Sequence, residues 1–422
     1  MPVQRYTAAE WAARPADRFD LGGTPDEREA VRQIVRRVAA EGEPALREHA
    51  QRFDGWAPPP GEDWALRRPA LERALEELPA DQRSALELAE ARIRAFHEAQ
   101  TFADVQGPEG LELLVRPVRR AGLYVPGGRA PYPSTVLMTA VPARVAGVRE
   151  VLLATPPARD GSVSQAILAA AALAGVDAVF RVGGAHAVAA FAYGTERVPR
   201  VDVIAGPGNI YVTLAKREVF GAVGVDAVAG PTEIMVVADG TAPAHYLAAD
   251  LASQLEHDPM TWAVLVTDSP ALADAVEEAF TDLAARLDRA EIVRAARCCI
   301  VLADSPRAAM EVANDFGPEH LEIVAEDPEP LVALIENAGA VFVGPHAPVS
   351  LGDYVIGPNH TLPTSGAARF SSPLGVHTFL KRTSIARVGA AALRDLAGAA
   401  TALARMEGLT AHAHAIEVRL DE

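Results

Sequence analysis

The chain contains 422 residues with a formal net charge of −17 and a sequence pI near 5.1, and half of its residues are hydrophobic. This length predicts two or three domains of a globular protein, and the negative charge argues against nucleic acid as a partner, because phosphate backbones would be repelled. No run of about 18 apolar residues predicts a membrane span.

Neither the N-terminal segment nor the cysteines indicate export. The N-terminal stretch lacks the apolar core of a secretion signal. Cys298 and Cys299 are adjacent and cannot form a disulfide framework, which favours a reducing, cytoplasmic location. The only lysines are Lys216 and Lys381, and we interpret the excess of arginine as base-composition bias rather than as a functional signal.

Two long helical patterns come first in the chain. Thr24 can cap the first helix, Pro25 suits its first turn, and Glu27 completes a capping box. A second helical pattern covers roughly 69–104. Neither carries a catalytic pattern, so both are interpreted as scaffold.

Short apolar runs alternate with amphipathic stretches from about residue 112 onward. The predicted strands are 151–155, 178–182, 201–206, 233–239, 262–268, 298–304, 321–326 and 340–344, and the first helices between them lie near 134–147, 163–174, 185–193 and 208–220. This alternation predicts an α/β protein with two Rossmann-like, doubly wound α/β domains. An N-terminal helical arm precedes them, and a helical tail from about residue 388, without a sheet partner of its own, follows.

Three glycine-rich turns link predicted strands to predicted helices. They occupy 123–135, where Ser134 could cap the following helix, 181–191 and 205–216. None has the G-x-G-x-x-G spacing of the usual dinucleotide fingerprint, and each alone is ordinary strand–helix punctuation. Three such turns in one sheet favour a ligand at the carboxyl ends of its strands, where helix N-termini can bind phosphate.

Four polar clusters lie in otherwise apolar surroundings. They are Gln254 with His257 at the end of a predicted helix, Glu319 with His320 before a predicted strand, Asp353 with His360 in the long loop 350–370, and Glu407 with His412 in the tail. Gln254 and His257 are three residues apart and share a helical face. Adjacent Glu319 and His320 side chains point in different directions and could serve two separate proton transfers. Glutamine, histidine and aspartate donors suit Zn²⁺, but spacing alone leaves surface turns as the alternative.

The order and length of several motifs carry a family resemblance. The motifs are GLYVPGG, STVLMTAVPARVAGV, GPGNIYV, AGPTEIMVVAD, SQLEHDP, FGPEHLEI, GDYVIGPNHTLPTSGAARFSSPLGVHTFLKR and EGLTAHAHAIEVR. Together, from about residue 24 to the end, they resemble the histidinol dehydrogenases. The resemblance implies a zinc-dependent enzyme that uses two NAD⁺ in turn to oxidise L-histidinol through an aldehyde to L-histidine, the last step of histidine biosynthesis.

The resemblance also implies roles for individual residues. It implies zinc ligands Gln254, His257, Asp353 and His412, of which His412 would come from the other subunit of a homodimer with shared active sites. It implies a substrate site of Thr232, Gln254, His257, His320, Asp353, His360, Glu407 and His412, and NAD contacts by Tyr124, His186 and Asn209. His320 would take the alcohol proton at each hydride transfer, and Glu319 would activate the water that hydrates the aldehyde. The family often has Gln at position 186, where His186 can still donate a hydrogen bond, and Ser at position 232, where Thr232 keeps the hydroxyl.

The expected domains are an arm at 1–23, a discontinuous first α/β domain at 24–123 and 232–375 with the metal and catalytic residues, an inserted NAD-binding domain at 124–231, and a tail at 376–422. Three alternatives remain open at this point. A sister family oxidises other small alcohols, including a sulfonated diol. A zinc hydrolase would use Glu319 with a metal-bound water and leave the glycine-rich turns unexplained. A non-catalytic binding module would leave Glu319 and His320 unexplained.

Overall fold

The structure is a computed structural model that describes residues 3–14, 23–127 and 131–420. The strands in these ranges are β1 (Gln4–Thr7), β2 (Ala65–Arg67), β3 (Val105–Gln106), β4 (Leu111–Pro117), β5 (Arg120–Tyr124), β6 (Glu150–Thr155), β7 (Ala178–Arg181), β8 (Val203–Ala205), β9 (Gly224–Val225), β10 (Glu233–Ala238), β11 (Trp262–Thr267), β12 (Arg297–Leu302), β13 (His320–Val324), β14 (Ala340–Val343) and β15 (Leu380–Ala386).

The helices alternate with the strands through most of the chain. They are α1 (Ala8–Ala12), α2 (Pro25–Glu41), α3 (Glu43–Phe53), α4 (Arg68–Glu76), α5 (Ala80–Glu98), α6 (Pro133–Val145), α7 (Gln165–Leu173), α8 (Gly184–Tyr193), α9 (Ile210–Val219), α10 (Ala244–Leu255), α11 (Pro270–Ala284), α12 (Ala290–Ala295), α13 (Pro306–Phe316), α14 (Glu329–Val332), α15 (Val349–Tyr354), α16 (Ala390–Met406) and α17 (Thr410–Glu417). Short 3₁₀ turns occupy Pro108–Gly110, Ala367–Arg369 and Val376–Phe379.

The chain divides into two compact units. The first comprises the described residues of Met1–Gln100 and Val118–Phe379, and the second those of Thr101–Pro117 and Leu380–Glu422. Both large sheets and all three glycine-rich turns belong to the first unit. Among the described residues, no helix is long and apolar enough to cross a membrane.

The first sheet of the first unit has the strand order β1-β12-β11-β10-β13-β14, and every pairing is parallel. Its central strands are buried on both faces, as is typical of parallel sheets covered by helices. One apolar core joins the sheet to α10, α11 and α12, and the other joins it to α13. From β10 the chain adds β11 and β12 on one side and then returns to add β13 and β14 on the other side. This reversal of strand order makes the sheet doubly wound.

The second sheet of the first unit has the order β2-β7-β6-β5-β8-β9, in which only β2 pairs antiparallel. Helices α2, α3, α8 and α9 cover one face and α5, α6 and α7 the other. The order of the strands reverses between β5 and β8. A crevice therefore opens at the carboxyl ends of these two strands, where Tyr124 and Gly206 meet.

The predicted fold class is confirmed: the protein is mixed α/β with parallel sheets and helices between the strands. The capping box at Thr24 is also confirmed, because its hydroxyl accepts from the Glu27 amide and the Glu27 carboxylate accepts from the Thr24 amide. The helical pattern at 69–104 is two helices, because Pro79 begins the second. Ser134 does not cap α6; the residue at the cap is Tyr132, which makes no side-chain capping bond.

The expected domain boundaries stay a prediction, but several segments within them lie elsewhere than expected. Strands β2 and β5 pair in the second sheet, although 24–123 was assigned with the first. In the expected N-terminal helical arm, Gln4–Thr7 is instead an edge strand of the first sheet, and residues 15–22 lie outside the described residues. In both cases the position of the segment depends on strand pairing with residues far away in the chain. Local periodicity of apolar residues does not reveal such pairing.

The second unit consists of a three-stranded antiparallel sheet, β15-β4-β3, and the helices α16 and α17. The expected helical tail at 376–422 is therefore wrong for 380–386, which form β15 and pair with β4 along seven residues. From Ala390 onward the described tail is helical, as predicted. Glu407 caps the end of α16 and His412 lies in α17.

Candidate active site

A cavity of about 690 Å³ in the first unit collects most of the predicted site residues. The first sheet contributes Thr232, Gln254, His257, Glu319, His320, Asp353 and His360 to its lining, and the second sheet contributes Gly206, Pro207 and Gly208. Glu233 and His320 are the first residues of β10 and β13. The cavity therefore opens at the amino ends of strands in the first sheet and at the carboxyl ends of strands in the second.

Glu319 is a buried carboxyl group immediately before β13. Its carboxylate accepts hydrogen bonds from the Thr232 hydroxyl and, at 2.9 Å, from the Glu233 amide. Burial raises the pKa of Glu319 to about 8, and nearby Asp353 adds to the rise, while the two hydrogen bonds oppose it. A carboxyl group tuned to this range exchanges protons near neutral pH, as a general acid or base must.

His320 is buried beside Glu319. Its Nδ1 lies 3.0 Å from the carbonyl oxygen of Glu233 and 2.7 Å from the side-chain amide nitrogen of Gln254. The two neighbours require opposite tautomers, because a carbonyl accepts from Nδ1–H whereas an amide nitrogen donates to bare Nδ1. Nε2 has no hydrogen-bond partner among the described residues and lies 3.9 Å from Asp353 Oδ1. Burial lowers the pKa of His320, which favours the neutral ring.

His257 and His360 complete a group of imidazoles around Asp353. His257 is solvent-accessible at the mouth of the cavity, yet the surrounding protein desolvates its ring and lowers its pKa, while Asp353 opposes the shift. His360 Nδ1 lies 2.8 Å from the Asp353 carbonyl oxygen and Nε2 lies 3.2 Å from Thr135 Oγ1. Desolvation lowers the pKa of His360 as well. Neutral imidazole is the form that donates a lone pair to a metal or accepts a proton.

The predicted helix through His257 is shorter than expected. Helix α10 ends at Leu255, and His257 lies in the turn that follows, with its amide donating to the Gln254 carbonyl at 3.2 Å. Pro259 disfavours helical geometry in the residue before it, so the chain leaves the helix early. Gln254 stays inside the helix and His257 outside it, and both still line the cavity.

The donor set fits a divalent cation in part. Gln254, His257 and Asp353 line one cavity and offer amide, imidazole and carboxylate atoms, and the unpartnered Nε2 of His320 faces Asp353. Within residues 3–14, 23–127 and 131–420, no three His, Cys, Asp or Glu side chains are close enough to form a metal cluster. His412 and Glu407 belong to the second unit. The set in the first unit therefore needs a further ligand to close a four-coordinate shell.

Two of the three predicted NAD contacts lie at the crevice of the second sheet, since Tyr124 ends β5 and Asn209 follows β8. Tyr124 is buried at the end of β5, where burial raises its pKa, and its hydroxyl accepts from the Gly184 amide at 3.0 Å. Asn209 caps α9 by accepting from the amides of Tyr211 and Val212, at 3.1 and 3.2 Å. Asn209 lines a second cavity of about 700 Å³ that shares Pro207, Gly208 and His257, among others, with the first.

His186 takes a different position from the one that a cofactor contact suggests. It is buried, does not line either cavity, and its Nε2 lies 2.9 Å from Asp54 Oδ2. The same Asp54 oxygen accepts from the Gly183 amide at 2.9 Å. In this structure His186 supports the glycine-rich turn between β7 and α8 through Asp54.

Sequence reasoning missed three residues that shape the site. Asp54 supports the Gly183 turn, and Lys216 and Asp226 line the main cavity beneath Gly206. Asp54 carries no local signal, because its partner lies 129 residues further along the chain. Lys216 carries a signal in the sequence, because it is one of only two lysines in an arginine-rich chain. Interpreting the excess of arginine as base-composition bias hides this signal.

Three comparisons place these features among known proteins. The family model described as histidinol dehydrogenase matches residues 23–420. The histidinol dehydrogenase of Parasynechococcus marenigrum is 49% identical over 394 residues, which cover 92% of this chain and 90% of that protein. The histidinol dehydrogenase of Pseudomonas aeruginosa is 49% identical over 400 residues, with 93% and 91% covered. The crystal structure of histidinol dehydrogenase from Elizabethkingia anophelis superposes with a TM-score of 0.91 at 32% identity, covering 99% of this chain and 98% of that one.

Proposed function

The chain belongs to the histidinol dehydrogenase family of NAD-dependent oxidoreductases, and we propose that it oxidises L-histidinol through L-histidinal to L-histidine with two NAD⁺, the final step of histidine biosynthesis. One observation carries the proposal: Glu319 and His320 lie in the same cavity as Gln254, His257 and Asp353, next to the crevice of the second sheet. We infer that this cavity joins groups suited to proton transfer and to cation binding to the crevice that a dinucleotide would enter.

In this proposal His320 is the base of both oxidations. Each oxidation removes a hydride from carbon to the nicotinamide and a proton from oxygen to a base. When Nδ1–H donates to the Glu233 carbonyl, Nε2 keeps a lone pair that has no partner among the described residues, on a ring that lines the cavity. A desolvated, neutral imidazole so held accepts the proton of the alcohol and, later, that of the hydrated aldehyde.

Glu319 would serve the hydration between the two oxidations. L-Histidinal must add water before a second hydride can leave, and the water must lose a proton as it attacks. The Glu319 carboxyl group is held by Thr232 and Glu233, and its raised pKa suits proton exchange near neutral pH. The adjacent His320 and Glu319 thus divide two kinds of proton transfer between them.

We propose that Gln254, His257 and Asp353 hold Zn²⁺ together with His412 of a second subunit. When bound, zinc would supply a positive charge that orients the amino and imidazole nitrogens of the substrate. His360 and Thr232 line the cavity close to these ligands and suit the polar part of the same substrate. Glu407, one turn before α17, is proposed to join His412 at the substrate.

A homodimer with shared sites is part of the proposal. Gln254, His257 and Asp353 supply three of the four ligands of a tetrahedral zinc site, and α16, whose C-terminal cap is Glu407, exposes large apolar side chains. Leu396, Leu403 and Met406 are exposed by 54%, 59% and 82%. Apolar surface of this kind on adjacent turns is typical of a protein interface. The cytoplasmic location stays a prediction.

The test follows NADH formation by purified protein given L-histidinol, NAD⁺ and zinc. Two NADH and one L-histidine per L-histidinol are expected, and removal of zinc with a chelator should stop the reaction until zinc is restored. One NADH per substrate would show that oxidation ends at the aldehyde. NADH formed from a sulfonated diol and not from L-histidinol would favour the sister family, and no NADH from either would refute the proposal.

A further inference from the structure

A buried ion pair lies beneath the turn that joins β8 to α9. The ammonium of Lys216, on α9, pairs with a carboxylate oxygen of Asp226, and both side chains are 4% exposed. Lys216 also donates to the carbonyl oxygen of Gly206 at 3.1 Å, and Asp226 Oδ2 accepts from the Gly206 amide at 2.8 Å. One ion pair therefore holds both polar groups of a single residue in the turn.

Gly206 occupies a position that tolerates no side chain. Its φ is +119°, and a Cβ at this point would lie 2.1 Å from the carbonyl oxygen of Tyr124. The residue thus sits where β5 and β8 separate and the strand order reverses. Pro207 and Gly208, which follow, line both cavities. A small rotation of the Gly206 peptide would move the part of the wall that the two cavities share.

The chemistry of the pair favours lysine over arginine. The Lys216 head group has to fit between Asp226 and the Gly206 carbonyl in a buried space, and an ammonium is a compact charge with few donors to satisfy. A guanidinium is wider, and its five N–H groups would leave donors unpaired there. This chain has arginine at nearly all of its Lys and Arg positions. The lysine at position 216 is therefore an exception to the composition of the chain.

We propose that Lys216 and Asp226 are positioning residues that hold the turn at 206–209 in the shape that admits the nicotinamide dinucleotide, and that arginine cannot replace lysine there. The inference rests on the proposed NAD⁺-dependent oxidation and names part of the machinery for its cofactor. Neither residue takes part in proton transfer, since Glu319 and His320 supply that. Their loss should therefore affect the dinucleotide far more than L-histidinol.

The chain offers a control ion pair at the opposite end of the same sheet, with side chains that are 21% and 39% exposed, against 4% for Lys216 and Asp226. Arg144 pairs with Asp177 at 2.5 Å and donates through Nε to the Gly175 carbonyl at 2.9 Å, and Asp177 accepts from the Val151 amide. This ion pair also holds a glycine turn, but at the amino ends of β6 and β7. A variant there reports what the loss of such a pair costs in stability alone.

The experiment compares Lys216→Met, Lys216→Arg and Asp226→Asn with Arg144→Met and the unaltered enzyme. Steady-state kinetics give KM for NAD⁺ and for L-histidinol, calorimetry gives Kd for NADH, and thermal unfolding gives Tm. We expect KM and Kd for the dinucleotide to rise about tenfold or more in all three variants, with less than about a threefold change in KM for L-histidinol, because displaced walls weaken the ligand they contact. Arg144→Met should lower Tm and leave both KM values close to those of the unaltered enzyme.

Several results would overturn the inference. An unchanged affinity for NADH in Lys216→Met or Asp226→Asn would exclude the positioning role. An unchanged affinity in Lys216→Arg would exclude the requirement for lysine. If KM for NAD⁺ rises equally in Arg144→Met, the rise in the Lys216 and Asp226 variants is explained by general destabilisation of the sheet, and the positioning role is excluded. If Lys216→Met does not fold, the other two variants still decide. Failure of the unaltered enzyme to form NADH would instead refute the proposed function, which separates the two outcomes.

Discussion

Nδ1 of His320 lies 3.0 Å from the carbonyl oxygen of Glu233, at the first residue of β10. A carbonyl oxygen only accepts, so this contact favours hydrogen on Nδ1 and a lone pair on Nε2, the nitrogen that lies 3.9 Å from Asp353 Oδ1. The amide nitrogen of Gln254, 2.7 Å from the same Nδ1, favours the opposite tautomer, and the proposed base requires the first. Parallel pairing of β10 with β13, which places Ile234 opposite His320, sets this geometry. The backbone of one strand thereby orients the ring that begins its neighbour.

His320→Gln should lower kcat by roughly 10²–10⁴-fold, because an amide cannot accept the alcohol proton. The change should leave zinc content close to that of the unaltered enzyme, since the proposed ligands are other residues. Elemental analysis and NADH kinetics measure the two quantities. His245→Gln, an exposed position on the first turn of α10, is the control and should behave as the unaltered enzyme. Full turnover in His320→Gln would exclude this residue as the base.

Glu319→Gln should separate the two halves of the reaction. An amide oxygen can still accept from Thr232 and Glu233, so the geometry should persist, but it cannot take a proton from water. We expect L-histidine formation to slow by about 10²-fold or more, the range of general base catalysis, while the first NADH per active site forms faster than the second. Single-turnover absorbance with an aldehyde trap measures this split. Equal slowing of both NADH steps would contradict the assignment.

Mixing two inactive variants tests the shared site. His257→Ala removes a ligand from the first unit and His412→Ala removes one from the tail, so each homodimer should be inactive. In a mixed dimer one site carries both changes and the other carries neither. Random exchange should therefore restore about a quarter of the full activity, as expected for two-fold symmetric dimers. Verified heterodimers with no activity would show that each site is built from one chain.

Asp250 and Glu322 predict a decline of stability with rising pH. Asp250, on α10, faces Glu322, on β13, one helical turn from the contact between Gln254 and His320. Burial raises the pKa of Asp250 to about 6, and burial together with Asp250 raises that of Glu322 to about 9. This pair therefore binds more protons in the folded protein than in the unfolded chain between about pH 4 and 9, and its contribution to the free energy of unfolding falls across this window. Buried histidines such as His97, His320 and His360, whose pKa values burial lowers, act in the opposite direction below the ordinary histidine range, so the contribution of the pair is clearest above about pH 7.

Glu322→Gln should flatten that decline, because its amide does not ionise. We expect the change in the free energy of unfolding between pH 5 and pH 8 to differ from that of the unaltered protein by at least about 1 kcal/mol. This is less than the roughly 1.4 kcal/mol that corresponds to a difference of one pKa unit between the folded and unfolded states. Urea unfolding at a series of pH values measures it. Glu326→Gln, two residues beyond the end of β13 and exposed, should keep the slope of the unaltered protein. Identical slopes for Glu322→Gln would show that the pair does not bind the extra proton.

Local signals in the sequence were sufficient for the elements and for part of the site. The alternation of apolar runs predicted the strands β6, β7, β8, β10, β11, β12, β13 and β14 within about two residues, the usual uncertainty of element ends, but it gave no bounds for β5, a central strand of the second sheet. The Thr24 capping box also depends only on neighbours three residues apart. The predicted shared helical face of Gln254 and His257 is wrong, because α10 ends at Leu255, before His257. The motif order was sufficient to suggest the family, which the matches across residues 23–420 support.

The tertiary structure alone decided where these pieces meet. The contact of Gln254 with His320 spans 66 residues and that of Gly206 with Asp226 depends on a turn between strands, and no local pattern encodes either distance. The sequence indicated ligands at carboxyl ends of strands, but Glu319 and His320 lie at the amino end of β13, while Asp239 bonds to the Glu326 amide at the opposite end. Local periodicity reports which face of an element is apolar. Which ends of two sheets share a cavity depends on the packing of residues far apart in the chain.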